Sequence, residues 1–372
     1  MNIKLNKEDK SKFHKLLETL ETNVAVANMF LEFCAHYDFI DKEKFMLSKD
    51  KKTAFAYEFL NFFEIELQDQ SDYDLFNNYI KPAIREVDPK IITQNPYVLN
   101  VKPEKFKHED YELVYKKFYA LQPFVYQDIS VNKEYYQELS SISFFEQDIP
   151  YLVIAKNHIN WMSITPNEII TMKESIEEAK GNVITFGLGL GYYAYMVSIK
   201  EDVKSVTIIE NDSKIIEIFQ KHILHFFKNK HKIKIIKSDA FEYFSNKNNM
   251  SKFDYAFMDI WHDPNDGLPL YMRFKKLEQK GKCQYSYWLE KSLIACYRRL
   301  LITTIEEQFN GAKEVDYLKA KTMEDKIIND IYFQTKNLNI TNFAQIHDLC
   351  SAANINKLIL ESDIKYEFSK NK

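Results

Sequence analysis

The stretch Val183-Ile184-Thr185-Phe186-Gly187-Leu188-Gly189-Leu190-Gly191 decides the fold of this chain. It joins a run of apolar and β-branched residues to three glycines in alternate positions. The sequence has only seven glycines in 372 residues, where average usage of about 7% would give roughly 26. The first 180 residues contain none. The cluster therefore indicates a place where the backbone must approach another group closely or adopt left-handed torsion angles. The pattern predicts a strand, a ligand-binding turn and then a helix.

Strand and helix patterns alternate after this loop. The runs that predict strands are Val183–Phe186, Ser205–Ile209, Ile233–Ile236 and Tyr255–Met258, and those that predict helices include Tyr192–Ser198 and an apolar stripe from Ile215 to Phe226. Repeated β-α-β units predict a parallel sheet with helices on both faces, which is an α/β fold of the Rossmann type. We expect a fifth strand at Leu300–Ile305, although Leu289, Leu293, Cys296 and Leu300 share a helical face.

The chain before the glycine loop divides into two parts. Residues 1–105 predict a helical domain, in which Asn6 caps a first helix whose apolar face includes Phe13 and Leu16. Residues 106–180 predict a small β-hairpin layer, followed by a helix that Pro166 opens with Glu168 in its first turn. We therefore expect four units: a helical domain (1–105), the β-layer and connecting helix (106–180), the Rossmann domain (181–311) and a helical C-terminal extension (312–372).

Composition excludes several classes of protein. The net charge of −4 and the pI near 6.2 give no indication of nucleic-acid or membrane binding. The first ten residues lack the apolar core of a signal peptide, and the four cysteines form no CxxC pair. We expect a reduced, cytoplasmic protein. The lysines between residues 228 and 237 alternate with isoleucines, which favours a solvated strand face over contact with RNA phosphates.

Three features fall at the carboxyl ends of three successive strands, where open α/β sheets bind ligands. The first is the loop with Gly187, Gly189 and Gly191. The second is Glu210, an acid about 20 residues after the loop, which suits the ribose hydroxyls of a nucleotide. The third is Asp239-Ala240, where the carboxylate suits an adenine amino group. Each acid has a simpler interpretation, because Asp239 and the residues after Glu210 are also good helix caps.

Together these residues resemble the class I S-adenosylmethionine-dependent methyltransferase superfamily over residues 181–265. The resemblance implies a Rossmann-like methyltransferase sheet and S-adenosylmethionine as the cofactor. It implies that the loop glycines Gly187, Gly189 and Gly191 lie beside the amino-acid end of the cofactor, Glu210 holds its ribose, and Asp239-Ala240 contacts adenine. The commonest pattern has an acid two residues before the first glycine, and this chain has Thr185 there.

The loop after the fourth strand runs from Asp259 to Gly267. In the superfamily the corresponding loop faces the reacting group, so Asp259, His262 and Asp263 are predicted catalytic residues and Asp259 also a cofactor contact. His262 suits a general base near neutral pH, and Trp261 suits stacking on substrate or on a sulfonium cation. The alternative interpretation is an ordinary polar turn, since Asp263-Pro264-Asn265-Asp266-Gly267 has turn chemistry whatever the function.

A second resemblance is to spermidine synthase and related aminopropyltransferases. It is carried by the β-layer before the Rossmann unit, by Thr185, and by Asp259-Ile260-Trp261-His262-Asp263-Pro264, which is one residue longer than the Asp-x-x-Asp-Pro motif of that family. The segment Thr165–Ile169 occupies the place of an acidic stretch near the amine site. This resemblance implies decarboxylated S-adenosylmethionine as the alternative cofactor and aminopropyl transfer as the alternative reaction.

Other interpretations stay open at this point. Gly189, Gly191 and Ala194 fit a G-x-G-x-x-A fingerprint for NAD, although no second mononucleotide-binding half follows. The acids between Asp259 and Asp266 suit magnesium, but clustered acids in a turn are more often solvated, so we predict no metal. We expect a methyltransferase with a small-molecule acceptor and no nucleic-acid partner. A non-catalytic nucleotide-binding or interaction module is the alternative of another class.

Overall fold

The computed structural model describes residues 1–36, 42–317 and 321–364. Its N-terminal part is mainly helical, as the sequence predicts, and Asn6 caps the first helix by accepting the N–H of Asp9. Phe13 and Leu16 are buried on the predicted face. The elements of this part are β1 (Asn2–Ile3), α1 (Lys7–Ala35), α2 (Lys42–Leu47), α3 (Lys51–Phe62), α4 (Gln70–Leu75), a π-helical turn (Phe76–Ile80), α5 (Lys81–Ala83), β2 (Ile84–Glu86), α6 (Lys90–Thr93) and α7 (Pro96–Asn100).

The predicted β-hairpin layer is confirmed and is larger than the apolar runs indicate. Its strands are β3 (Phe106–His108), β4 (Tyr111–Phe118), β5 (Phe124–Asn132), β6 (Gln137–Phe144), β7 (Ile149–Lys156) and β8 (Ile159–Ser163). They form an antiparallel sheet with the order β3-β4-β7-β8 and a second sheet with the order β2-β6-β5. Asn157 and His158 both have positive φ angles, so a tight turn with left-handed residues joins β7 to β8. Helices α8 (Pro166–Thr171) and α9 (Lys173–Glu178) follow.

A five-stranded parallel sheet forms the centre of the Rossmann domain. Its strands are β9 (Gly181–Phe186), β10 (Val203–Glu210), β11 (Ile233–Lys237), β12 (Tyr255–Met258) and β13 (Gln284–Tyr287), in the order β11-β10-β9-β12-β13. All four pairings are parallel. The central strands are buried and therefore apolar along their length. With β9 as the first strand, this order is 3-2-1-4-5, so the strand order reverses between β9 and β12, where such sheets bind ligands.

Helices cover both faces of this sheet. They are α10 (Tyr192–Ser198), α11 (Ser213–Ile218) with its π- and 3-10-helical continuation to Phe226, a 3-10 turn (Lys230–Lys232), α12 (Ala240–Ser245), α13 (Lys247–Met250), α14 (Pro264–Leu277) and α15 (Glu290–Phe309). The predicted helix Tyr192–Ser198 has the predicted bounds. Lys234 and Lys237 are exposed on β11, which forms one edge of the sheet.

The predicted fifth strand at Leu300–Ile305 is wrong. These residues lie inside α15, where Leu293, Tyr297, Leu301 and Ile305 recur every four residues and are buried. A short apolar run fits a buried helix as well as a strand. The fifth strand is instead β13, whose sequence Gln284-Tyr285-Ser286-Tyr287 contains no aliphatic residue.

The C-terminal part packs onto this core as helices. Its elements are α16 (Glu314–Tyr317), α17 (Met323–Thr335), β14 (Asn339–Ile340), α18 (Phe343–Leu349) and α19 (Ala352–Glu361), and β14 pairs with β1 in parallel. One hydrophobic core includes residues from the start of α1, the β-layer, the Rossmann sheet and these helices. A second cluster, rich in phenylalanine, joins the end of α1 to α3 and β6. No helix of the described residues is long and apolar enough to cross a membrane.

Candidate cofactor and reaction site

The glycine loop follows β9 and has left-handed torsion angles at each glycine. The φ angles of Gly187, Gly189 and Gly191 are +100°, +51° and +74°, values that residues with a Cβ adopt only with strain. A Cβ at Gly187 would lie 2.0 Å from the carbonyl oxygen of Asp259, and one at Gly191 would lie 2.3 Å from Phe219 Cε2. These two glycines therefore permit close packing beneath the loop.

Gly189 faces a different neighbour. A Cβ at this position would have Met162 Sδ of β8 as its nearest atom, at 3.6 Å. Within the described ranges, the backbone N–H groups of Gly189 and Leu190 have no hydrogen-bond partner, whereas the N–H of Gly191 donates to the Leu188 carbonyl. Backbone donors left open on a glycine turn suit a polar ligand group. The open N–H groups of Gly189 and Leu190 are therefore the part of this loop that can bind such a group.

Glu210 ends β10 next to the glycine loop. Its carboxylate accepts the N–H groups of Leu188 at 3.1 Å, Asn211 at 2.7 Å and Asp212 at 2.8 Å. Burial raises the pKa of Glu210, and these backbone donors oppose that rise. A carboxylate has about four acceptor positions, so roughly one stays open for a ligand hydroxyl. The predicted ribose role fits this geometry through one further hydrogen bond rather than two.

Tyr111 of β4 connects the β-layer to the residues that follow Glu210. The Tyr111 hydroxyl donates to Asp212 Oδ2 at 2.7 Å, and Asp212 also caps α11 by accepting the N–H of Lys214 at 2.8 Å. Tyr111 is almost fully buried. This contact fixes the antiparallel sheet over the carboxyl end of β10. No local sequence pattern predicts it, because the two residues are a hundred positions apart.

Asp239 follows β11 and caps α12. Its Oδ1 accepts the N–H groups of Phe241 and Glu242, both at 2.9 Å, and Ala240 is the first residue of the helix. Asp239 and Phe241 line a cleft of about 450 Å³, in which the Arg273 guanidinium lies 3.8 Å from the centre of the Phe241 ring. The carboxylate is exposed, and Oδ2 is not used by the cap. The predicted adenine contact stays a prediction that this open position allows.

A pair of carboxylates lies at the end of β12. Asp259 is the first residue after the strand, and its N–H donates to the Phe186 carbonyl at 2.9 Å. Glu168, from the first turn of α8, is close enough for the charge of Asp259 to affect its ionisation. Burial raises the pKa of Glu168 well above its usual range, and repulsion by the Asp259 carboxylate adds to the rise. Burial likewise raises the pKa of Asp259. The surroundings of the pair therefore disfavour the state in which both carboxyl groups are ionised.

The sequence predicts Glu168 only as a first-turn acid of a helix and not as a residue of the site. The acidic position in the first turn after Pro166 is visible in the sequence, as is the likeness of Thr165–Ile169 to an amine site. Its partner Asp259 lies on a different element, and only the packing of α8 over the sheet brings the two acids together. Thr185, at the place of the usual loop acid, is 2% exposed inside β9. No carboxylate from that position reaches the cleft.

The rest of the reactive loop has two kinds of residue. His262 is exposed, and its ring lies edge-on to that of Trp161 in β8, with 4.5 Å between the ring centres. Nothing in the sequence pattern singles out Trp161. Trp261 is buried against Gly267 and Leu293 rather than in the open cleft, and its indole N–H has no partner among the described residues.

Asp263 forms the N-cap of α14 with a capping box, in keeping with the turn interpretation. Its Oδ1 accepts the N–H groups of Asn265 and Asp266, while the Asp266 carboxylate accepts the N–H groups of Asp263 and His262. The two carboxylates therefore have structural partners. Across residues 1–36, 42–317 and 321–364, no group of three or more His, Cys, Asp or Glu side chains is arranged to hold a metal ion.

Comparisons with known proteins find similarity only among solved structures. No family model and no curated protein matches the chain. Spermidine synthase from Thermotoga maritima is 16% identical over 41% of this chain and 58% of its own, with a TM-score of 0.29. A spermidine synthase in complex with the transition state analogue AdoDATO is 14% identical over 53% and 72%, with a TM-score of 0.30. A protein assigned as a caffeoyl-CoA O-methyltransferase, from Staphylococcus aureus, is 17% identical over 46% and 72%, with a TM-score of 0.25.

The strand order, the glycine loop and the placement of Glu210 are properties of this chain itself. The chain has a Rossmann-type α/β fold with the strand order 3-2-1-4-5. An antiparallel β-layer precedes this sheet in the chain. The matched region spans little more than half of the first of those solved structures, so activity, substrate and partners are matters for proposal.

Proposed function

We propose that this chain is an S-adenosylmethionine-dependent methyltransferase that acts on a small-molecule acceptor. The observation that carries the proposal is the convergence of three groups at one edge of the sheet. They are the open N–H groups of the glycine loop, the Glu210 carboxylate, and the Glu168–Asp259 pair. All three lie where a parallel sheet of this order binds ligands.

The residues fit the cofactor at each of its ends. Glu210 has an acceptor position left for a ribose hydroxyl, and Asp239 has Oδ2 left for an adenine amino group beside the Phe241 ring. The glycine loop and the acid pair remain for the amino-acid end. When bound, S-adenosylmethionine supplies an electrophilic methyl group on a positively charged sulfur. Every other requirement of the reaction falls on the protein.

The carboxylate pair supplies proton transfer. Burial raises the pKa of both acids, and the Asp259 charge adds to the rise at Glu168. A carboxylate with a raised pKa is a stronger base, so it can accept a proton from an incoming amine or hydroxyl. The backbone carbonyl of Asp259 lies against Gly187, and the Asp259 carboxylate is the group we assign as the base. Alignment of the acceptor in a closed cleft contributes much of the rate, because it removes the entropic cost of bringing two molecules together.

Aminopropyl transfer is the second candidate function, and the acid pair is the observation that favours it. Two neighbouring acids that raise the cost of ionising each other suit a cationic amine as the acceptor. The cofactor would then be decarboxylated S-adenosylmethionine. Methyl and aminopropyl transfer differ in the product, so mass spectrometry of acceptors incubated with each cofactor separates them directly.

Calorimetry on the full chain tests the proposal. Titrants are S-adenosylmethionine, its decarboxylated form, S-adenosylhomocysteine and NAD. We expect binding of S-adenosyl compounds and not of NAD. Glu210→Gln, which keeps the size and one carbonyl oxygen, should weaken that binding at least about tenfold, the usual scale for loss of a charge-assisted hydrogen bond.

The matched control is Glu201→Gln, an exposed acid in the turn before β10, which should leave affinity unchanged. Binding of NAD alone would contradict the proposal, as would a protein that binds none of the four compounds. Unchanged affinity in Glu210→Gln would contradict the ribose role of Glu210 but not the proposal that the chain binds S-adenosyl compounds. Binding without any transferred group, across amine and hydroxyl acceptors, would support the non-catalytic module instead.

A further inference from the structure

Lys156 is the last residue of β7 and lies on the face of the β-layer that meets the Rossmann domain. It is paired in register with Tyr111 of β4, whose hydroxyl binds Asp212. The neighbouring strand β8 contributes Met162, which lies against Gly189, and Trp161, which contacts His262. Lys156 therefore stands among residues that contact the ribose end, the glycine loop and the reactive loop.

The ammonium of Lys156 is held between two aromatic rings. Its Nζ lies 5.2 Å from the centre of the Tyr111 ring and 5.0 Å from that of Trp161. Contact with two ring faces orients the cation and replaces part of its hydration. A lysine that is fixed and partly dehydrated in this way binds an anion more strongly than a lysine in open solvent.

The structure gives this ammonium no ion-pair partner among the residues it describes. The other lysines of the same sheet all have a polar partner: Lys107 pairs with Glu112, Lys117 with Asp148, and Lys116 donates to Asn160. Lys214, the second cation over the Tyr111 ring, pairs with Glu109. The charge of Lys156 is felt by Asp212 and helps to lower its pKa. That carboxylate is already bonded to the Tyr111 hydroxyl and to N–H groups of α11.

We propose that Lys156 binds a carboxylate of a ligand held between β8 and the glycine loop. The inference rests on the proposed function and deepens it. The backbone of Asp259 lies against Gly187, which places the Glu168–Asp259 pair at that end of the loop. Lys156 lies over the ring of Trp161, the residue before Met162, whose sulfur faces Gly189. Opposite charges on the two sides of the loop match a zwitterionic amino-acid group, with the acids on its ammonium and Lys156 on its carboxylate.

This assignment gives Lys156 a part in choosing the cofactor. S-adenosylmethionine has the carboxylate, and the decarboxylated form lacks it. A cation placed to bind that group favours the methyl donor over the aminopropyl donor, and without the carboxylate it adds repulsion between the ammonium and the sulfonium. An acidic acceptor presents the same chemistry to Lys156, so the experiment distinguishes the two sources.

The test compares the full chain with three variants by calorimetry. Lys156→Met keeps the aliphatic stem and removes the charge, Lys156→Arg keeps a cation, and Lys117→Met removes a lysine that lies over the Tyr119 ring at the far end of β4. We expect Lys156→Met to weaken S-adenosylmethionine about tenfold or more, as for loss of a charge-assisted contact, and not to weaken the decarboxylated form. Lys156→Arg should restore most of the loss, and Lys117→Met should show none.

Each other outcome has a definite consequence. If Lys156→Met leaves both cofactors unaffected yet abolishes binding of succinate to the complex with S-adenosylhomocysteine, the anion site is confirmed and the carboxylate belongs to the acceptor. If neither the cofactors nor succinate respond to Lys156→Met, the anion site is wrong while the proposed function stands. If the unmodified chain binds no S-adenosyl compound, the proposed function fails and this inference fails with it.

Discussion

At the residue scale, the neighbouring acids Glu168 and Asp259 lower the stability of the folded chain. Both residues are partly buried, and the charge of Asp259 disfavours ionisation of Glu168. A raised pKa in the folded state means that the folded chain holds a proton which the unfolded chain has already released. Between the two pKa values, stability therefore falls as the pH rises. Such a cost at a cleft is typical of sites kept for function rather than for stability.

We predict that Glu168→Gln stabilises the chain at high pH and not at low pH. Below the unfolded pKa of about 4.3, the native acid is protonated in both states and resembles glutamine. Above that pKa, Glu168 ionises in the unfolded state, which lowers the free energy of unfolding of the unmodified chain and not that of the variant. The gain of the variant should be measurable near pH 8, because each unit by which folding raises the pKa of Glu168 corresponds to about 1.4 kcal/mol. Urea unfolding at pH 4 and pH 8 measures it.

The control for this prediction is Glu177→Gln on α9, where the glutamate is exposed and pairs with Lys173 at 3.8 Å. Its stability difference should stay small at both pH values. A Glu168→Gln variant whose advantage shrinks as the pH rises would show that the carboxylate is stabilised, and not strained, by its surroundings.

The residues that sequence reasoning identifies share one property: each follows a strand. The glycine loop, Glu210, Asp239 and Asp259 all sit at carboxyl ends of parallel strands, so locating the strands locates them. Their placement agrees with the strand bounds, and their predicted roles await binding data. Glu168, Tyr111 and Lys156 come from other elements. Their positions depend on how the β-layer and α8 pack on the sheet, which no local pattern encodes.

At the scale of elements, the correctly predicted strands are largely apolar and the unpredicted one is polar. β13 forms the edge of the sheet and pairs only with β12. Its Gln284 donates to the Glu178 carboxylate and its Ser286 hydroxyl bonds that of Ser175, so these two positions have polar partners. The run Leu300–Ile305 is apolar because α15 is buried against several neighbours. A short apolar run indicates that a segment is buried but does not show whether it is a helix or a strand. The spacing of apolar residues over a longer window distinguishes the two.

Asp263 caps the start of α14, and substitutions there can distinguish this structural role from a catalytic one. We predict that Asp263→Ala lowers the free energy of unfolding by about 1 kcal/mol, since it removes the cap acceptor for Asn265 and Asp266. Asp263→Asn keeps a side-chain oxygen for the cap and should lose less than about 0.5 kcal/mol. Thermal or urea unfolding of both variants measures the difference.

The turnover rate of Asp263→Asn then reports only the loss of the carboxylate charge, because the helix cap is intact. A drop of about a hundredfold or more with normal stability would show the catalytic part that the sequence predicts for this carboxylate. Equal destabilisation by Asn and Ala would contradict the capping prediction, since the two differ in their ability to accept the helix N–H groups.

At the scale of the whole molecule, the C-terminal helices share the main core. Ile331, Phe343 and Ile359 belong to the same hydrophobic cluster as the strands of the Rossmann sheet, and β14 pairs with β1 at the other end of the chain. Sequence patterns predict the helices but not this closure. Contacts between residues more than 300 positions apart leave no trace in local periodicity.

A buried ion pair joins three of these regions. Arg298 of α15 is 4% exposed and pairs with Glu138 of β6, while its Nε donates to the Cys350 carbonyl at 2.8 Å. Its guanidinium lies 4.4 Å from the centre of the Tyr136 ring. Burial raises the pKa of Glu138 to about 7, and the Arg298 charge opposes that rise. Removing the cation leaves a buried carboxyl group that must either ionise alone or take up a proton.

We therefore predict that Arg298→Met destabilises the chain by about 3–5 kcal/mol, the range for removing one partner of a buried pair. The loss should be greater at pH 8 than at pH 6, because the lone Glu138 has a still higher folded pKa and the folded chain binds more protons than the unfolded chain. Arg298→Met combined with Glu138→Gln should recover part of the loss and remove its pH dependence. The matched control is Lys336→Met, which breaks the partly exposed pair with Glu314 and should cost less than about 1 kcal/mol. A loss in Arg298→Met no larger than this control, in urea unfolding at both pH values, would show that the C-terminal helices are held to the β-layer by apolar packing alone.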